Sequence, residues 1–545
     1  MFAGLRDASA LAHKAVFFLE RQFTAGFCSR LDYRNFSHDS SLLGAHHGIM
    51  SCRFSAIVST PARVWGLVLI VYLLASFFSV TIKTYLPRPW DASVEYKPGH
   101  WAVMSLPRVL RGEEPHFLMV ANSLAHDGDL RVSREYTAAW LGGPQMGEYF
   151  RGLGAEYFLQ HFSRKMDFTL VSKHPPGLPM FFAMMLWPLA DTSWMEAATV
   201  WLTAFIGALG VLVFIRVMEA MDFSWTATRN TALLLAFATP WFSYSRTLYS
   251  EVFVGTGYLM VLLTMLRGRW ILALLLSAAT AWIKYPALLL FAAVGCGELV
   301  DAGRGDGADD AAPTMPKRTP RWWPRRSARR LFLVSAAAGI LVCASILGYN
   351  KWLYSDTSWV TFSPADIARL SSQPSSGRVL KRGILLRVGA PIAWVPGKVF
   401  SNVKDLFKDK DKGLFPHCPM LLFSVGGIIV MARRRECRRA VWMLLLCLVP
   451  WTVVHVCYRY FMTGESYTTR YLVPIVPLAM VGLPVFWQWT RQQPRPVWRS
   501  VATIAVSLSL LNNILAGFFP GLAFNRAPWE VWQGGYQILR AVLIG

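Results

Sequence analysis

The chain has 545 residues, 54% hydrophobic and 16% charged, with 55 Lys and Arg against 32 Asp and Glu. A soluble globular domain carries about a quarter charged residues, so a mean hydropathy of +0.35 excludes that class and points to a bilayer. The net charge of +23 would suit nucleic acid, but its placement excludes that partner. Basic residues crowd into short loops around 317–330, 433–439 and 491–499, between apolar runs, where Lys and Arg are retained on the cytoplasmic side.

In chain order, residues 1–63 are basic (Arg6, Lys14, Arg21, Arg30, Arg34, Arg53, Arg63) and lack a cleavable signal pattern, so they read as a cytoplasmic extension. Met50 precedes a short basic stretch and then the first apolar run, and is the expected translation start. Val64–Ile82 has membrane length. Residues 83–174 follow as a long polar outer loop, completing its return at the apolar run Gly177–Ala190. Further runs are Ala197–Ile215, Thr231–Ser243, Val252–Leu266, Trp270–Ile283 and Tyr285–Cys296. Residues 297–330 read as a flexible basic linker dividing a 64–296 module from a 331–545 module. The second module holds Leu331–Gly348, Met420–Met431, Ala440–Val456, Tyr471–Trp489 and Val501–Phe519. Residues 379–407 alternate Lys and Arg with apolar residues and are expected along the outer interface. The fold class is all-α, a polytopic transmembrane bundle of roughly ten to thirteen membrane elements.

The basic loops set an orientation that closes except around 175–250, where one short segment has the wrong parity. Either Gly177–Ala190 or the Pro240-broken run before Glu251 is re-entrant, or one loop is assigned to the wrong side. The eight cysteines are scattered, with no CxxC pair, and support neither a disulfide framework nor a zinc site.

Within the outer loop, Pro115 after Glu113-Glu114 favours a helix start, with acids at its positive end. Phe117, Leu118, Val120, Leu124 and Ala125 form an apolar stripe expected on the membrane, and Asp127-Gly128-Asp129 ends the helix. Glu113, Glu114, Asp127 and Asp129 are therefore either helix and turn chemistry or carboxylates at a site. Lys173 and His174 stand where the loop re-enters the membrane, a natural place for cations to meet a lipid phosphate. Arg246, Glu251 and Lys284 interrupt apolar runs, where a charge is expensive unless it faces a cavity or a partner. Arg470, at the mouth of another outer loop, either clamps phosphate oxygens or pairs with Glu465.

This ordered set resembles the membrane-integral C-type glycosyltransferases, especially the branch of protein mannosyltransferases and the aminoarabinose transferase of lipid A. The resemblance spans most of residues 64–490. It rests on Glu113-Glu114 with His116-Phe117-Leu118 and Asp127-Gly128-Asp129, then His174-Pro175-Pro176, Arg246…Glu251, Lys284-Tyr285-Pro286, Gly413-Leu414-Phe415 and Arg470-Tyr471-Leu472-Val473-Pro474. It implies an enzyme that transfers a sugar from a polyprenyl-phosphate donor to a lipid, protein or glycan acceptor, with inversion, at the outer face of the cytoplasmic membrane. The family's loop carboxylate, commonly the Asp of an Asp-Glu pair, matches Glu113, with Glu114 and Asp129 as alternatives. Its second acidic site matches Glu251, again Glu for Asp, and His174 takes the place of a lysine that touches lipid phosphate. His116, Asp127, Lys173, Arg246, Lys284 and Arg470 are the expected substrate-binding residues. Some relatives use a metal, and a carboxylate cluster can hold a divalent cation through oxygen ligands, but no spacing here demands one. The competing class is a transporter or lipid flippase, which buries ionisable groups near the bilayer midplane in discontinuous helices. A polysaccharide polymerase or ligase would use the same donor with a longer acceptor.

Overall fold

The computed structural model describes residues 58–77, 81–82, 101–102, 114–132, 134–135, 162–164, 170–172, 174–192, 194–302, 325–354, 396–434, 436–457, 466–494, 496–519, 523 and 527–544. The described residues are mostly helical, with two small antiparallel ribbons among them: β1 (Thr81–Ile82) with β2 (Trp101–Ala102), and β3 (Phe162–Arg164) with β4 (Leu170–Ser172). Among the described residues, four helices are long and apolar enough to cross a membrane: α4 (Trp194–Ala220), α10 (Arg325–Tyr354), α14 (Arg438–Val456) and α17 (Val497–Phe518). Shorter apolar helices join them: α1 (Pro61–Phe77), α3 (Gly177–Leu186), α7 (Glu251–Leu266), α8 (Trp270–Ile283), α9 (Leu289–Ala302) and α13 (Met420–Ala432). The molecule is an integral membrane protein of the all-α polytopic class.

Several boundaries follow from local chemistry. The first run becomes helical only to Phe77, and the β-branched Thr81-Ile82 pair forms a strand instead. Tyr471–Trp489, expected as one span, is a 3₁₀ turn over Arg470–Ile475, then α15 (Val476–Met480) and α16 (Leu483–Gln492), bent by 54°. Pro474, Pro477 and Pro484 remove backbone donors along that stretch, which accounts for the break. α5 (Trp225–Ala238) starts on Ser224, whose side chain accepts from the Ala227 N–H, and stops before Pro240, after which α6 (Trp241–Tyr244) adds one turn.

The outer-loop helix α2 (Glu114–His126) ends at Asp127-Gly128, with Gly128 at φ +72°. Its apolar stripe faces protein rather than lipid, correcting the expected membrane contact. Phe117, Leu118 and Ala121 are buried with Leu178 and Phe182 of α3, Met195 and Val200 of α4, and Leu248 and Phe253 flanking the start of α7. Further along, Asn122 Nδ2 donates to Asp191 Oδ1 at 2.7 Å, just past α3. Both ends of α3 thus lie beside the loop. Its first residue, Gly177, meets the Trp282 carbonyl so closely that a Cβ would collide with it. α3 therefore turns back at the loop side, which removes the parity conflict around 175–250.

With that element set aside, the helices alternate in direction. α4 begins beside α3 and runs to Arg216; α7 runs from Glu251 to Arg267. α14 runs from Arg438 to Val456, and α17 from near Arg499 to Gly517. The polar loops 239–251 and 466–470 and the Lys284 junction all fall at one end of the bundle, and the arginine-rich turns at the other. α11 (Pro396–Lys408) packs at the polar end, where Asn402 Nδ2 donates to the Val456 carbonyl at 2.6 Å. Its Leu406 is buried while Phe400, Val403 and Phe407 are exposed. Residues 379–395 of the expected amphipathic stretch lie outside the described residues.

Candidate active site

Three sequence-distant segments end helices at the same place. Glu251 is the first residue of α7, Lys284 closes α8 ahead of a Tyr285–Leu288 3₁₀ turn, and Arg470 opens the 3₁₀ turn of the bent pair. Lys284 Nζ donates to Glu251 Oε1 at 2.7 Å. The Glu251 side chain is 2% exposed and that of Lys284 15%. The second carboxylate oxygen, Glu251 Oε2, is buried without a hydrogen-bond partner. Lys284 Nζ also lies 5.0 Å from the centre of the Tyr471 ring, and the Arg470 guanidinium carbon lies 4.9 Å from it. Arg470 NH2 donates to the Tyr471 hydroxyl at 3.1 Å, and its guanidinium lies 5.2 Å from the Tyr249 ring. His455, at the end of α14, stacks on Tyr471 at 5.6 Å and bonds through Nδ1 to the Trp451 carbonyl.

The scaffold around this group is hydrogen-bonded in detail. Trp241 Nε1 donates to the Gly207 carbonyl at 3.0 Å, and the Tyr244 hydroxyl to the Tyr467 carbonyl at 2.7 Å, tying loop 239–251 to α4 and to loop 466–470. Asn513 Nδ2 lies within reach of the Ala238, His417 and Ser509 carbonyls, and Trp451 Nε1 donates to the Tyr471 carbonyl at 2.7 Å. Backbone groups exposed where helices break are satisfied this way, as the apolar surroundings require.

Arg246 is buried on the same loop as Glu251. Its NH1 donates to the Gly517 carbonyl at the end of α17, while its Nε has no hydrogen-bond partner. No carboxylate pairs with it among the described residues. Uncompensated buried charge is costly, so an anion is the chemistry that would balance this guanidinium.

A second group joins the loop to this end of the bundle. His116 Nε2 lies 2.7 Å from Ser172 Oγ, and the His174 ring sits 5.2 Å from both His116 and Phe117. The His174-Pro175-Pro176 turn leads straight into Gly177, pressed against the Trp282–Ile283 backbone two residues before Lys284. Phe117 of α2 in turn shares one buried cluster with Leu248 and Phe253, which bracket Glu251. Thus His116 and His174 reach the neighbourhood of Glu251 and Lys284 through the packing of α2 and α3. Glu113 and Lys173 lie outside the described residues; Glu114 begins α2, one turn before Phe117.

Asp127 and Asp129 are engaged elsewhere. Asp129 Oδ1 accepts from Ser123 Oγ and from the Arg131 N–H at 2.8 Å. Asp127 pairs with His126 and with Arg134 at 2.9 Å, and Arg134 also reaches Glu135 and Asp191. This network closes the loop on the α3–α4 connection. Burial pushes the Glu135 carboxyl above its ordinary value, outweighing the pull of the backbone hydrogen bond and of Arg134. No group of three or more His, Cys, Asp or Glu able to hold a metal occurs among the described residues.

Sequence reasoning singled out Glu251, Lys284 and Arg470 but passed over Tyr249, His455 and Tyr471. Their signal was their position: Tyr249 and Tyr471 stand two and one residues from a selected charge, whereas His455 lies at the end of an apolar run.

No family model matches the chain, and no curated protein matches it. Among solved structures, it is similar to the Archaeoglobus fulgidus oligosaccharyltransferase AglB in complex with an inhibitory peptide and a dolichol-phosphate, at 12% identity and a TM-score of 0.45 over 87% of this chain. The apo form of the Archaeoglobus fulgidus oligosaccharyltransferase matches at the same values. The chain spans 58% of the length of those two proteins.

Proposed function

We propose that this protein is a membrane glycosyltransferase that moves a sugar from a polyprenyl-phosphate donor to a lipid, protein or glycan acceptor, with inversion at the anomeric carbon. The observation that carries the reading is the Glu251–Lys284 pair with Arg470 beside it: one carboxylate oxygen held by a cation, the other buried without a partner, and further cations around it. The acceptor hydroxyl attacks the anomeric carbon and gives its proton to Glu251 Oε2. The bond from that carbon to the donor phosphate breaks, and its electron pair leaves on the phosphate oxygen. Lys284, Arg470 and Arg246 meet the charge that develops there, and His174 flanks it from the loop. Glu114, the first residue of α2, and the neighbouring Glu113 of the sequence orient the acceptor.

The site lies opposite the arginine-rich turns, so by the positive-inside rule it faces outward from the cytoplasmic membrane. Its charges gather at helix ends on one side of the bundle, which favours a surface enzyme over a transporter with a midplane site.

The test is mass analysis of envelope glycolipids and glycoproteins in a deletion strain complemented with wild type, Glu113→Gln or Glu251→Gln. Wild type is expected to restore a missing sugar, and both variants to insert normally yet fail to restore it. Full restoration by Glu251→Gln would remove the assigned role, and an unchanged envelope in the deletion strain would remove the reaction.

A further inference from the structure

Resting on the proposed donor chemistry, we infer that Tyr471 is a positioning residue that sets where Lys284 and Arg470 stand relative to one phosphate. Both cations lie on its ring, at 5.0 and 4.9 Å from the centroid, and its hydroxyl accepts from Arg470 NH2 at 3.1 Å. Like charges this close repel. An aromatic quadrupole attracts each cation and lets two of them share a small volume.

The ring itself is fixed from behind. His455 stacks on it with an interplanar angle of 26°, and His455 is anchored through Nδ1 to the Trp451 carbonyl. Trp451 in turn donates to the Tyr471 carbonyl at 2.7 Å and packs edge-on against Tyr258 of α7, two turns from Glu251. The residue is therefore tied to α14 and, through it, to the helix that presents the carboxylate. Glu251 and Tyr471 both engage Lys284 Nζ, which leaves the ammonium little freedom to follow a misplaced ligand. Tyr471 touches no reacting atom in this scheme; it acts through the two cations.

The ring and the hydroxyl make separable contributions. Tyr471→Phe and Tyr471→Trp keep an aromatic face for both cations, whereas Tyr471→Leu fills similar space without one. The probe is undecaprenyl phosphate, titrated into detergent-solubilised full-length protein and followed by intrinsic tryptophan fluorescence, with thermal melting as a control for folding. Donor KM and kcat are read separately on the same variants once the transferred sugar is known.

Tyr471→Leu is expected to weaken undecaprenyl phosphate binding about tenfold, with the Phe and Trp variants within about threefold of wild type. The same order is expected in donor KM, with kcat changed less. Binding by Tyr471→Leu equal to wild type overturns the role of Tyr471 and leaves the donor reading standing. If Tyr471→Leu does not fold, loss of more than tenfold in both aromatic variants, folded by their melting curves, overturns it equally. Wild-type protein with no affinity for undecaprenyl phosphate overturns the donor reading itself, a result distinct from the other two.

Discussion

Removing Lys284 should be more damaging to the fold than removing Glu251, although the two form one ion pair. At 2.7 Å and an effective dielectric of about 20, the pair's Coulomb attraction is about 6 kcal/mol, most of it offset by the loss of hydration of both groups. The partners are unequally buried: the Glu251 side chain is 2% exposed and that of Lys284 15%. Lys284→Met strands a carboxylate that already has one oxygen without a partner, at a cost of about 3–5 kcal/mol. Glu251→Gln leaves an ammonium on a flexible stem that can turn towards water, so its cost should be about half as large. The double variant removes both charges and should recover most of the loss, giving a coupling of about 3–5 kcal/mol. Equilibrium unfolding of the four proteins in mixed detergent micelles measures all three quantities. Additivity of the two single changes within about 0.5 kcal/mol would refute the reasoning, as would a Glu251→Gln variant less stable than Lys284→Met.

Gly177→Ala should disturb the approach of α3 to the end of α8, because the added methyl meets the Trp282 carbonyl. A loss of about 1–3 kcal/mol in the same unfolding assay is expected, and an unchanged stability would show that α3 can give way there. Glu135 supplies a pH-dependent signature. Its carboxyl is raised in the folded state, so its contribution is largest below the ordinary glutamate value and is lost as pH rises through the raised one. Hydrogen exchange of segment 114–132 should therefore quicken over that window in wild type more than in Glu135→Gln, and parallel profiles would contradict the assignment. Orientation is testable with a membrane-impermeant thiol reagent on intact cells. A cysteine introduced at Thr192 in a cysteine-free background should react, whereas Cys437 restored alone in the arginine-rich turn should react only after permeabilisation. The reverse pattern would invert the site's sidedness.

The helical class and most elements were legible because hydrocarbon leaves few options: long apolar runs must be helices, and charge clusters must lie between them. Glu251 and Lys284 were legible for the same reason, as charges interrupting apolar runs. Their contact was not, since 33 residues and a full helical hairpin separate them, and pairing across that distance leaves no periodic trace. Nor was the orientation of α2 legible. The stripe Phe117, Leu118, Val120, Leu124 and Ala125 suits either a lipid surface or a protein groove, and only the packing of Phe117 and Leu118 with Leu178, Phe182 and Phe253 decides between them. The parity around Gly177–Ala190 stayed open for a related reason. Length and hydropathy describe a segment's solubility in lipid, whereas α3 is held at one face by Asn122, Asp191 and the Trp282 backbone.

The location of the charged group follows from how the helices stop. Prolines 240, 286 and 474 interrupt apolar stretches beside Arg246, Lys284 and Arg470 respectively, and each interruption exposes backbone groups that hydrocarbon cannot satisfy. The protein meets that demand with polar side chains from other helices: Tyr244 on the Tyr467 carbonyl, Asn513 on the Ala238 carbonyl, Trp451 on the Tyr471 carbonyl. Once such a polar region exists at one edge of the bundle, a carboxylate and its cations can be placed in it at far lower cost than at mid-membrane. Breaking helices there and placing charge there are thus one structural decision. A chain that kept these charges but replaced the three prolines with helix formers would extend α5, α9 and α15, and would carry Arg246, Lys284 and Arg470 onto helix faces where they could no longer converge.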